Sequence, residues 1–119
     1  MDNGNRRSQL RLSGALAIFV EVRAANPAEQ TCAEIVACSV VDISANGLQV
    51  EMDRPLPVGS ILRLGADPGG QAPVMYVVGE VRWVRPAPAG GYGVGFAFFD
   101  SDGTDIIEWK QFIAERLRD

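Results

Sequence analysis

The chain has 119 residues, of which 47% are hydrophobic and 22% charged, and its formal net charge is −4. That length sets one domain with a core of its own, and so ordinary a composition excludes wholesale disorder. The acidic balance argues against a nucleic-acid polymer as partner, because a phosphate backbone demands a broad basic surface.

Other absences narrow the function further. No histidine is present, which removes the commonest general base and the commonest metal ligand. No convincing nucleophile–base pair replaces it, so neither an enzyme nor a metal site is expected. No apolar run approaches the ~20 residues that cross a bilayer. The N-terminus is polar and arginine-bearing rather than of signal-peptide type. A cytoplasmic protein without membrane insertion is the expectation. Cys32 and Cys38 are too few for a disulfide framework or a zinc site, and are expected to be buried free thiols.

In chain order, residues 1–13 read as a polar, mobile arm. Arg6, Arg7 and Arg11 crowd it, opposed only by Asp2. Residues 14–119 read as a single domain. Leu16 to Val22 is a strand pattern with Leu16, Ile18, Val20 and Val22 on one face. Asn26-Pro27 breaks it, and Ala33 to Ile43 forms a second strand. Leu48, Val50 and Met52 then alternate with Gln49, Glu51 and Asp53, the mark of a strand with one wet face. Asn46-Gly47 between these two strands is a hairpin signal, because both residues tolerate positive φ. Pro55, Pro57 and Gly59 turn the chain into a short strand at Ile61, Leu62 and Leu64, and Asp67-Pro68-Gly69-Gly70 is a loop.

Val74 to Val84 is the longest strand pattern. Met75, Val77, Gly79, Val81, Trp83 and Arg85 fall on one face, and Gly79 marks a bulge or barrel corner. Tyr92 to Phe99 is the last strand. Over 104–117 the period changes to helical: Ile106, Ile107, Trp109, Phe112, Ile113 and Leu117 form one stripe, with Asp102 or Thr104 as N-cap. Such a stripe is far more often core than a ligand box. The pattern predicts a mainly β fold, a six-stranded antiparallel β-barrel with a C-terminal α-helix.

Two motifs stand out. Arg7-Ser8-Gln9-Leu10-Arg11 is an arginine pair, and arginine suits planar, bidentate recognition of phosphates and purine edges. Asp42-Ile43-Ser44-Ala45-Asn46-Gly47 is a polar strand-end turn. Taken singly, each has a plainer explanation. Arg7 and Arg11 could pair with surface acids, Asp42 could accept turn amides, and Asn46-Gly47 needs only a hairpin. Their coincidence decides, because a plain hairpin does not require an arginine pair upstream of it.

These motifs resemble those of the PilZ domain, a bacterial receptor module for cyclic di-GMP. Arg7 to Arg11 fits the family's RxxxR and Asp42 to Gly47 its (D/N)xSxxG. Val81-Arg82-Trp83-Val84 and Gly93-Val94-Gly95-Phe96 resemble its last two barrel strands. The resemblance implies that Arg7 and Arg11 meet phosphates or guanine edges. It gives Asp42 the guanine N–H groups or an arginine, makes Ser44 a short donor and acceptor, and has Gly47 leave room for ligand and backbone to approach or supply a conformation closed to other residues. A further arginine directly before RxxxR, here Arg6, goes with two mutually intercalated nucleotides in PilZ-like proteins, so a ligand dimer per chain is expected. Trp83 either borders the second nucleotide or is a core indole, and Arg85 is a weaker candidate of the same kind. Leu10 stands where similar chains often have an aromatic residue.

The expected function is that of a cyclic di-GMP receptor or adaptor in which the nucleotide orders the arm. An unidentified downstream protein would then read the altered surface, with a motility, biofilm or pilus-type output. The alternative is a nucleotide-independent adaptor in pilus or flagellar assembly. PilZ-like proteins of that kind usually lack the arginine pair that this chain keeps. An oligonucleotide-binding barrel is disfavoured by the net charge and by the lack of an aromatic and basic stripe.

Overall fold

A computed structural model of the protein describes residues 16–116. Six strands and one helix follow in order: β1 (Ala17–Arg23), β2 (Glu34–Ser44), β3 (Gly47–Met52), β4 (Ile61–Asp67), β5 (Met75–Pro86), β6 (Tyr92–Phe98) and α1 (Ile106–Arg116). The strands close into an antiparallel barrel in the order β1-β2-β3-β6-β5-β4. The expected six-stranded barrel with a C-terminal helix is therefore the fold. The expected arm, residues 1–13, lies outside the described residues, and so do Arg6, Arg7, Arg11 and Leu117.

Alternation along the strands builds the core. Ile18 and Val20 of β1, Leu48, Val50 and Met52 of β3, and Met75, Val77 and Val81 of β5 all point inward and are buried. The helix adds Ile106, Trp109 and Ile113 to the same core and packs against β5. Ile107, expected on the buried stripe, is exposed. The residue at the helix start is also not the one expected. Asp105, directly before the first helical residue, supplies the carbonyl that accepts from the Trp109 amide at 2.9 Å. Its carboxylate accepts from the Tyr76 amide at 2.8 Å, which fastens the helix entry to β5. Thr104 instead donates its hydroxyl to the Ser101 carbonyl. Among the described residues no helix is long and apolar enough to cross a membrane.

Three strands carry an extra residue, the first being Val22 of β1, where the β1–β2 ladder shifts between Glu21 and Arg23. The β2–β3 ladder shifts between Val40 and Asp42, and the β5–β6 ladder between Val81 and Trp83. Of the bulge or barrel corner expected at Gly79, the bulge is not there. Gly79 pairs regularly with Leu62 and Phe98, and the space its missing Cβ leaves is taken by the Phe98 ring and Leu64. Beyond the bulge at Arg82 the inward and outward sides of β5 exchange. Val84 packs on the core, while Trp83 and Arg85 leave the face the alternation had given them.

The cysteines also divide. Cys38 sits on β2 opposite Ile18 and packs against the core, but Cys32 precedes β2 and is exposed, against the expectation of two buried thiols. Burial, with a smaller push from the Asp53 charge, raises the Cys38 thiol to about 11. Because the thiolate is the nucleophile, iodoacetamide at pH 8 is expected to modify Cys32 at least ~100-fold faster than Cys38. Mass spectrometry over a time course of the folded protein checks this, and denaturant should remove most of the difference.

Candidate ligand-binding site

The bulges in β2 and β5 assemble the site. In an unbroken strand Asp42 would share its side with Val40, and Trp83 with Val81, both facing the core. The extra residue in each strand resets the alternation. Register then places Asp42 opposite Gln49, Gln49 opposite Gly95 and Gly95 opposite Trp83. This is one continuous cross-strand row on the outer surface of β2, β3, β6 and β5. The next row runs Ser44, Gly47, Ala97, Glu80. Between them Ile43, Leu48, Phe96 and Val81 point inward and are buried. A cleft of about 240 Å³ lies on the outer rows, with Asp42, Ser44, Gln49, Arg82 and Trp83 around it.

Glycine shapes this surface at two positions. At Gly95 a Cβ would overlap the Trp83 indole, and at Gly93 it would touch the ring at 3.6 Å, so the indole lies flat across β6. Aromatic cover of a strand glycine is a known stabilising pairing in sheets. The Arg85 guanidinium lies 4.1 Å from the Trp83 ring centroid, a cation–π contact. Trp83 is therefore a half-buried surface platform and not a core indole. Arg85 acts as its cover and does not line the cleft.

Gly47 serves a different purpose from the one its hairpin suggests. Ser44 pairs with Gly47 across a two-residue turn of Ala45 and Asn46. Neither Asn46 nor Gly47 has a positive φ. A Cβ on Gly47 would instead stand 2.5 Å from the Phe96 carbonyl oxygen. Glycine is needed there because β6 passes so close.

The turn is held from several sides. The Ser44 hydroxyl donates to the Gly47 carbonyl at 3.4 Å and accepts from the Asn46 amide at 3.3 Å. The Ser44 carbonyl accepts from Trp109 Nε1 at 3.0 Å, across 65 residues of sequence. Trp109 is fully buried, with Phe98 edge-on at 5.5 Å and Phe112 stacked at 6.1 Å. The Asp42 carboxylate accepts from the Ile43 amide through Oδ1 at 3.0 Å and remains exposed at the cleft. Among the described residues it pairs with no cation. Asp42 and Ser44 thus satisfy their own turn, as their plainer explanations held, and also face the cleft.

Of the seven expected site residues, the fold brings Asp42, Ser44, Gly47 and Trp83 to one cleft. Arg6, Arg7 and Arg11 lie outside the described residues. Two polar side chains at the cleft were not expected, those of Gln49 and Arg82. Gln49 carried a usable signal, since it heads the wet face of β3 just across the hairpin from Asp42. Arg82 carried half of one, since alternation puts it outside with Glu80, but only the bulge sets it beside Trp83.

The family model for the PilZ domain matches residues 5–115. The chain belongs to the PilZ domain family. Among curated proteins, none matches the chain. PilZ domains are binding and adaptor domains rather than enzymes, and the family is generally one of cyclic di-GMP receptors. In this PilZ domain the matched range takes in both motifs, all six strands and most of the helix.

The two glycines respond differently to a methyl group. Gly47→Ala meets fixed backbone and is expected to cost about 1–3 kcal/mol, within the usual range for overpacking. Gly95→Ala meets a side chain that can swing outward. It is expected to cost less and to red-shift the tryptophan emission as Trp83 enters water. Urea unfolding of both variants, followed by fluorescence, separates them. Trp109→Phe keeps a ring in the core but leaves the Ser44 carbonyl without its donor, at an expected cost of about 1–3 kcal/mol. The urea midpoint of that variant measures the loss.

Proposed function

We propose that this PilZ domain is a cyclic di-GMP receptor whose ligand seats on the Asp42–Gln49–Gly95–Trp83 row and is closed over by Arg7 and Arg11. The observation that carries the proposal is the convergence of the Asp42-to-Gly47 motif and the Trp83 platform on one cleft, in a family of cyclic di-GMP receptors. Asp42 offers a carboxylate to guanine N–H groups, Gln49 a donor and an acceptor, and Trp83 a ring for stacking.

Size and charge both call for the arginine motif. The cleft is below the roughly 300–1,000 Å³ of pockets that bury most of a drug-sized ligand. A cyclic dinucleotide on it is covered by the barrel on one side only. Among the cleft residues Asp42 and Arg82 cancel in charge, so the barrel alone does not neutralise two phosphates. Arg6, Arg7 and Arg11 supply the missing cations in bidentate form. Two mutually intercalated nucleotides per chain is the proposed stoichiometry, with Arg6 serving the second nucleotide and Trp83 bordering it. Closure over the ligand changes the surface beside the cleft, and a downstream protein reads that change.

Isothermal titration with cyclic di-GMP tests the reading. The unaltered protein is expected to bind with a ratio near two, and more weakly at high salt. Arg7→Ala and Arg11→Ala are each expected to lose at least ~100-fold in affinity with the circular dichroism spectrum unchanged, since charge-assisted bonds to buried phosphate oxygens are lost. Unchanged affinity in both variants rejects the site. A ratio of one rejects only the ligand dimer. No heat at saturating nucleotide, together with co-purification of a pilus or flagellar component, makes the chain a nucleotide-independent adaptor instead.

A further inference from the structure

We propose that Arg82 is a nucleotide-contacting residue, the cation that the barrel itself sets against a phosphate of the ligand. The inference rests on the reading of the cleft as a cyclic di-GMP site and adds to it a residue outside both motifs.

The bulge is the basis. Successive side chains of a regular strand point to opposite faces. In β5, Val81 pairs with Phe96 and Trp83 with Gly95, which leaves Arg82 as the extra residue. Val81 is fully buried, and both Arg82 and Trp83 line the outer cleft. The bulge thus sets a guanidinium and an indole side by side on one surface, which a regular strand does not allow. A nucleotide presents the matching pair, a phosphate next to a base. Bulges of this kind re-aim side chains beside functional sites.

The other described arginines near these strands are otherwise engaged. Arg85 covers Trp83, Arg63 lies 4.4 Å from the Tyr76 ring centroid, and Arg54 pairs with Glu34 at 2.8 Å and Asp53 at 2.9 Å. Arg82 is exposed and forms no ion pair among the described residues. It does not pair with Asp42, because three strand spacings separate β5 from β2, roughly 14 Å along the curved sheet. A carboxylate on one bank and a guanidinium on the other suit a ligand with guanine N–H donors at one end and a phosphate towards the other.

Titration of Arg82→Ala and Arg82→Gln with cyclic di-GMP, beside the unaltered protein, tests this. Both variants are expected to bind about 10- to 100-fold more weakly, the size of one lost charge-assisted contact, and with a shallower salt dependence. Arg82→Lys, which keeps the charge and loses the planar fork, is expected to recover part of the loss. Thermal unfolding of all three should match the unaltered protein, since the side chain is exposed. If the unaltered protein binds and both neutral variants stay within threefold of it, Arg82 has no such role and the receptor reading stands. If the unaltered protein does not bind, both readings fall.

Discussion

In a closed antiparallel barrel every strand is paired on both edges, so no strand can shift its register alone. Ladder bonds from β1 to β2 and from β1 to β4 complete the ring, and each residue's side is then fixed by its neighbours. The rest of the protein depends on this constraint. It keeps Leu48, Val50 and Val94 inside without exception. It also means that two neighbouring residues of one strand can share the outer surface only where the ladder itself is interrupted. Val41 and Arg82 are two such interruptions, and they stand at opposite ends of the four-strand row that carries the cleft.

The helix makes that surface rigid. Trp109 is a large buried side chain whose one polar atom must find a partner, and it finds the Ser44 carbonyl. Packing of the helix on β5 and the conformation of the Asp42-to-Gly47 turn are therefore one structural event. With Asp105 tied to Tyr76 at the helix entry, the turn is braced by an element that comes last in the sequence. The floor of the cleft is built by the fold itself, so a ligand seated there would not have to order it.

Much of this was legible in the residues. Period-two alternation in β3, the change of period at the helix and the turn signals between strands were enough for the architecture. The two motifs were enough to single out Asp42, Ser44 and Gly47. What stayed hidden has a common cause: it lay in register rather than in pattern. Trp83 continues the apolar stripe of Val77 and Val81, and nothing local shows that the stripe ends one residue early. Gly79 looked like the irregular position, yet it only makes room for Phe98 and Leu64. Gly47 looked like a turn glycine, yet its neighbour is β6, a strand almost 50 residues further on that no local rule could bring there. Cys32 and the helix entry were misjudged for the same reason, since burial and capping there depend on partners distant in sequence.

The bulge at Arg82 also bears on how such a barrel tolerates change in chain length. Because Arg82 is surplus to the ladder, its removal would leave Val81 opposite Phe96 and Trp83 opposite Gly95, with every later residue of β5 facing as it does now. The same holds for Val41 between Val40 and Asp42. Elsewhere in these strands the loss of one residue would turn the following side chains inside out. β2 and β5 thus each have a place where an insertion or deletion edits the outer surface alone, and both lie at the banks of the cleft.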